Sequence, residues 1–262
     1  MLWGAIIGDI VGSIYEFDNI KTKDFPLFTE RGFITDDSCM MIAIADALMK
    51  WKCDGGDLQK YAIQSMREIG RKYPNMGYGF RFARWLSSDD NEPYNSWGNG
   101  AAMRVSAVGW IGNSITEVKR LSYMVTSVSH DHIEGIKGAE ATAVCVYLAR
   151  MGKDKNEIAK YITDNYYDWC LSVAELQENY SWDGSCQGSV PQALQCFIES
   201  TSFEDAIRNA ISIGGDSDTI GAITGAVAGA YYGIPKEMIE TARKYVPDDL
   251  LTIIDKFEKG DY

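Results

Sequence analysis

Apolar residues recur at helical spacing along almost the whole chain. Residues 2–16 (LWGAIIGDIVGSIYE) are apolar and rich in glycine and alanine, and 37–51 (DSCMMIAIADALMKW) form a strongly apolar run. The stretch 57–72 is amphipathic, and 99–112 and 116–129 carry helical patterns. Residues 133–151 predict one long helix, followed by 154–170, 188–200 and 202–213. Residues 218–232 (DTIGAITGAVAGAYY) and 235–259 close the chain. Alternating patterns of period two are nearly absent, so the expected class is all-α. Several helices are apolar all round, which places them at the centre of the fold.

Two of those helices carry glycines four residues apart: Gly4, Gly8 and Gly12 on the first, Gly221, Gly225 and Gly229 on a late one. A glycine inside a helix costs roughly 1 kcal/mol relative to alanine. Close backbone approach is the physical return, so both helices are expected deep in the core and near each other.

The chain has 262 residues, 46% hydrophobic and 24% charged, with no linker-like or low-complexity segment. A single soluble domain over residues 1–262 is expected. The net charge of −12 argues against collecting nucleic acid by bulk electrostatics. An acidic chain still binds an anionic ligand where metal ions or helix N-termini supply local positive charge. Six cysteines (Cys39, Cys53, Cys145, Cys170, Cys186 and Cys196) form no CxxC pair, and buried reduced thiols in a cytoplasmic protein are the expectation. The apolar N-terminus lacks a basic flank and carries Asp9, unlike a signal peptide. No stretch reaches the length of a membrane span without polar interruption.

Chemistry concentrates in a few places. Thr35-Asp36-Asp37 and Gly214-Gly215-Asp216-Ser217-Asp218-Thr219 each stand directly before a very apolar helix. Capping explains one acceptor at such a position, because an oxygen there takes a free backbone N–H. It does not explain two carboxylates and a hydroxyl, twice. Four carboxylates and two threonine hydroxyls instead make an all-oxygen set suited to Mg2+, Mn2+ or Ca2+ rather than zinc. A cation there opposes the helix dipole, but two formal negative charges per segment outweigh the dipole's roughly half positive charge. Asp9 and Glu16 are seven apart, which on a continuous helix puts them on one face; they read as solvated acids, metal ligands or water-orienting acids. The loop Asn95-Ser96-Trp97-Gly98-Asn99-Gly100, leading into AAMR, offers backbone N–H groups to a phosphate. His130 and His132 are the only histidines, and an HxH pair does not face one way on a helix. A ligand-bonding or satisfied buried histidine fits them better than a metal site.

These segments resemble the ADP-ribosylglycohydrolase family. The matching pieces are GAIIGDIVGSIYEF at 4–17, FITDDSCM at 33–40, GNGAAMRVSAVG at 98–109, SVSHDHIEGIKGAEATA at 127–143, SCQGSVPQAL at 185–194 and SIGGDSDTIGAITGAVAGAYYG at 212–233. They follow the family's order across nearly the whole chain. The resemblance implies an orthogonal multi-helix bundle with two divalent cations, Mg2+ or Mn2+. It implies Thr35, Asp36, Asp37, Asp216, Asp218 and Thr219 as metal residues. Glu16 is implied as the acid/base, with Asp36 and Asp218 beside it in catalysis. Ser96, Gly98, Asn99 and Gly100 fall where the family holds diphosphate and ribose, and His130 near the adenosine. Ser217 stands where the family often has threonine. The implied activity is hydrolysis of the bond between ADP-ribose and a protein side chain or small molecule. Alternatives are hydrolysis of another ADP-ribose derivative, such as an O-acyl ester, and a non-catalytic binding or structural protein. The acceptor pocket is expected from loops around 18–32 and 75–97.

Overall fold

The computed structural model describes residues 1–168 and 171–260. Its helices are α1 (Trp3–Gly12), α2 (Asp36–Asp54), α3 (Leu58–Lys72), α4 (Phe80–Ser87), α5 (Gly100–Met103), α6 (Ser106–Ile111), α7 (Ile115–Thr126) and α8 (Ile133–Arg150). Then come α9 (Lys155–Asn165), α10 (Val173–Asn179), α11 (Cys186–Glu199), α12 (Phe203–Ser212), α13 (Ser217–Tyr232), α14 (Lys236–Ala242) and α15 (Asp248–Lys259). No sheet occurs among the described residues; one isolated bridge joins Gly98 to Ser185. The all-α expectation is met.

The centre of the bundle is α13. Every residue from Ser217 to Gly229 is buried, and the helix packs against α1, α8, α11 and α12. All of α1 is buried as well. The glycine stripes are the seam between them. A Cβ on Gly8 would sit 1.9 Å from the Gly221 carbonyl oxygen, and one on Gly225 would sit 2.1 Å from that of Gly4. At the end of the seam, a Cβ on Gly12 would lie 2.4 Å from the Ser217 oxygen. Only bare backbones fit at these separations, so the seam sets where the first turn of α13 lies.

Four predicted helices are shorter or broken. α1 stops at Gly12 rather than running to residue 16: the Ser13 hydroxyl bonds back to the Ile10 carbonyl, and Tyr15 N closes a turn on Gly12. Asp9 and Glu16 therefore do not share a helical face. The stretch 99–112 divides into α5 and α6 at Arg104, whose side chain turns inward to the carbonyls of Val125 and Thr126. The stretch 235–259 divides at Pro247, which opens α15 and cannot continue the preceding turn. Of the predicted 154–170 helix, α9 covers 155–165, and 169–170, with Cys170, lie outside the described residues. Cys39, Cys145, Cys186 and Cys196 are buried, whereas Cys53 is exposed at the end of α2. No described helix is long and apolar enough to cross a membrane.

Candidate functional site

The amino end of α2 is closed by two side chains. Thr35 is its N-cap, and its hydroxyl accepts from Asp37 N at 3.2 Å. That hydroxyl donates to Asp9 Oδ1 at 2.8 Å. Asp9, fully buried on α1, also accepts from Thr35 N at 3.0 Å, Ser38 N at 3.1 Å and the Ser38 hydroxyl. Capping is thus done by Thr35 and by an acid on another helix, which leaves Asp36 and Asp37 to face the cleft.

The amino end of α13 is arranged differently. Asp216 stands at its N-cap position, yet no side chain caps this helix. Asp216 Oδ2 instead accepts from Asn99 Nδ2 at 2.7 Å, and Asn99 also reaches the Ser189 hydroxyl at 3.0 Å. The preceding turn needs left-handed backbone at Gly214 (φ 67°) and Gly215 (φ 79°), which glycine adopts without a steric cost. Asn19 ties this turn to the one after α1. It accepts from Gly215 N at 2.8 Å and donates to the carbonyls of Gly215 at 2.9 Å and Glu16 at 3.0 Å. Glu16 is thereby delivered beside α13, and one carboxylate oxygen from each of Glu16, Asp216 and Asp218 lies within 4.8 Å of the others. The two acidic segments meet directly where Thr219 Oγ1 donates to Asp37 Oδ2 at 3.1 Å.

The electrostatics of this cluster are unbalanced. Burial, then the neighbouring Asp218 and Asp9 charges, pushes the Glu16 carboxyl up to about 7. Burial and Asp218 lift Asp9 to about 7 as well. Asp36, Asp37 and Asp216 are held well above the ordinary carboxylate range by the same two causes, burial first. Asp218 is raised by burial. Asp37 Oδ1 is buried without a hydrogen-bond partner. Crowded buried carboxylates with an orphaned oxygen fit hard divalent cations, which take all-oxygen ligand sets and supply the missing charge.

The cluster lines a cleft of about 360 Å³. Its other walls include Phe80, Arg81, Phe82, Tyr94, His130 and Trp182. Ser96, Gly98, Asn99 and Gly100 also line it. Three of the loop amides are already used: Asn95 N bonds Asp131 Oδ1 at 2.7 Å, Gly98 N bonds the Ser96 hydroxyl at 3.2 Å and Asn99 N bonds the Gly184 carbonyl at 2.9 Å. The loop is therefore a braced wall more than an open cradle of N–H groups, and the Asn99 amide is committed to Asp216. His130 is buried, packs edge-on against Tyr94 at 5.6 Å between ring centres, and is held well below its usual pKa by burial, then by Arg104 and Arg81. His132 caps α8 by accepting from Glu134 N at 3.1 Å, a structural role.

The structure thus brings Glu16, Asp36, Asp37, Asp216, Asp218 and Thr219 into the wall of the same cleft that Ser96, Gly98, Asn99, Gly100 and His130 line. Thr35 stands behind that wall as the cap of α2. Of the expected acceptor loops, 77–82 and 94–96 supply wall residues. Beside Glu16, Phe17, Asn19 and Trp182 line an adjoining depression, and residues 20–32 do not enter it. Sequence reasoning assigned no role to Arg104, Ser129, Phe82, Tyr94 or Trp182. A lone arginine within AAMRVSAVGW was a usable signal for Arg104, because a charge in so apolar a segment is rarely buried without purpose.

Comparison with known proteins bears on this geometry. The ADP-ribosylglycohydrolase family model matches residues 1–261. "ADP-ribosylhydrolase ARH3" of Homo sapiens is 27% identical over 95% of this chain and 90% of its own length. "ADP-ribosylarginine hydrolase Tri1" of Pseudomonas putida (strain GB-1) is 25% identical over 91% of this chain and 72% of its own. A solved structure titled "ADP-ribosylglycohydrolase-related protein complex" superposes with a TM-score of 0.66 at 21% identity, covering 93% of this chain and 95% of that one. That last likeness concerns the fold.

Proposed function

Because the chain belongs to the ADP-ribosylglycohydrolase family, we propose that its cleft hydrolyses the glycosidic bond between ADP-ribose and a modified acceptor, with divalent cations held by the acidic cluster. One observation carries the reading: acids from opposite ends of the chain, with Glu16, converge in one cleft that aromatic rings, a buried histidine and a glycine loop also line. The ribose that carries the acceptor would lie at the cluster, so that its bond to the acceptor meets Glu16, with the diphosphate and adenosine toward Gly98, Gly100 and His130.

Asp36, Asp37, Asp216 and Asp218 would hold two cations, Mg2+ or Mn2+, with Thr219 beside them. When bound, the cations supply charge neutralisation and polarise ribose hydroxyl oxygens. Asn99 keeps Asp216 in place by its 2.7 Å bond, and Asp9 with Thr35 keeps the start of α2 in place behind Asp36 and Asp37. Glu16 is half-buried beside the cluster. It would deliver a proton to the leaving atom of the acceptor as the C1″ bond breaks, then accept one from the attacking water. The transition state has oxocarbenium character, as in other glycoside cleavage. The substrates are ADP-ribosylated proteins or small molecules.

The test is Glu16→Gln, which keeps shape and hydrogen bonding. Cation and ADP-ribose binding are expected to persist while turnover falls about 100-fold to 10,000-fold. Undiminished turnover of an ADP-ribosyl-arginine or ADP-ribosyl-serine peptide by that variant would remove Glu16 from the chemistry.

A further inference from the structure

Arg104 is fully buried, and its hydrogen bonds go to neutral oxygens. Nη2 reaches the Thr126 carbonyl at 3.3 Å and the Ser129 hydroxyl at 2.8 Å. The Ser129 oxygen in turn lies 2.9 Å from His130 Nδ1. A guanidinium has hydrogens to give and nothing to accept with. Ser129 Oγ therefore accepts from Arg104, and its single hydrogen is directed on to Nδ1. The opposite tautomer would put two donors on the Ser129 oxygen and leave the hydroxyl proton without an acceptor among the described residues. Nδ1 is then the bare nitrogen and Nε2 carries the ring proton.

Nε2 bonds no described residue. It faces the glycine loop, 3.5 Å from where a Cβ on Gly100 would sit and 3.7 Å from one on Gly98. The cation at the far end of the relay, with Arg81 nearby, opposes a second proton on the ring. Phe82 holds both ends from the side, its ring centre 6.0 Å from that of His130 and 5.6 Å from the Arg104 guanidinium carbon.

We propose that Arg104, acting through Ser129, locks His130 as the neutral Nε2–H tautomer and so presents one hydrogen-bond donor to the nucleoside-diphosphate portion of the ligand. Arg104 and Ser129 are positioning residues. The ligand half of this inference rests on the proposed ADP-ribose cleft, and the tautomer half does not.

His130 and His132 being the only histidines makes the test direct. Nitrogen-15 spectra of histidine-labelled full-length protein are recorded near neutral pH, with His132→Asn retaining a capping residue and leaving His130 as the sole signal. The expected spectrum shows a protonated Nε2 and a bare Nδ1. Ser129→Ala is expected to mix the tautomers and weaken ADP-ribose binding about threefold to tenfold, the loss of one hydrogen bond; Ser129→Thr restores both. A protonated Nδ1 in the parent, or a Ser129→Ala spectrum unchanged from it, overturns the relay. A mixed tautomer in Ser129→Ala with unaltered ADP-ribose affinity overturns the donor role. If the parent binds no ADP-ribose, the cleft reading and the donor role both fall, and the spectrum alone judges the relay.

Discussion

Thr35 shows how one side chain serves both readings that a sequence leaves open. It caps α2, and its hydroxyl donates a hydrogen bond to Asp9. His130 is similarly divided, satisfied at Nδ1 and open at Nε2. Its burial has a consequence for pH. The folded ring is held well below the ordinary value of 6.5, chiefly by burial and then by Arg104 and Arg81. The unfolded ring takes a proton near 6.5, so acid favours the unfolded chain. This contribution is fully present above about pH 6.5 and is lost as pH falls from there toward the folded value. The urea midpoint of the parent relative to that of His130→Gln should fall as pH drops from roughly 6.5 to 5; a difference that does not change with pH would show that the ring is not held neutral.

At the scale of elements, α1 acts as a strut between the two acidic segments. Its glycine face sets the position of α13, and Asp9 on the same helix closes the start of α2. Neither job tolerates a shift, since both are made by atoms already at contact. Gly8→Ala would place a methyl 1.9 Å from the Gly221 oxygen, where backbone rather than a flexible side chain must move. A destabilisation of about 1–3 kcal/mol follows for such overpacking. Cation affinity should fall too, because Asp216 and Asp218 ride on the displaced helix. Denaturation and manganese titration of this variant check both, and a stable protein with parental manganese affinity would show that the seam does not set the cluster.

Across the whole molecule, an acidic chain with a net charge of −12 concentrates part of that charge where water cannot screen it. Bringing Asp36, Asp37, Asp216, Asp218 and Glu16 together opposes folding until a counter-charge arrives. Melting in chelator is therefore expected well below melting in excess Mg2+ or Mn2+, by a stabilisation of about 2.7 kcal/mol for each bound cation at a hundredfold excess over its Kd. Asp37→Asn should narrow that gap. It relieves one buried charge, so it melts above the parent in chelator, and it gains less than the parent when cation is added. A parent whose melting ignores both metals would mean that the cluster is not a cation site.

Much of this was legible along the chain. Helical periodicity and the near-absence of alternation gave the all-α class, because each helix buries a face set by residues three and four apart. The glycine stripes foretold a backbone seam, since only contact offsets their cost. Two acidic segments, each ahead of an apolar helix, pointed to one oxygen-rich site. Element ends were not legible. α1 stops at Gly12 through a Ser13 side-chain bond, so Asp9 and Glu16 part company although their spacing suits one face, and 99–112 breaks where Arg104 turns inward. Nor were the partners legible. Asp9 bonds Thr35 26 positions away, Asn99 bonds Asp216 117 away, and Thr219 bonds Asp37 182 away. Local pattern acts over a turn or two of chain and determined which helices form. Packing alone decided which buried polar atoms find each other, because a hydrogen bond exists only where two surfaces close to within about 3 Å.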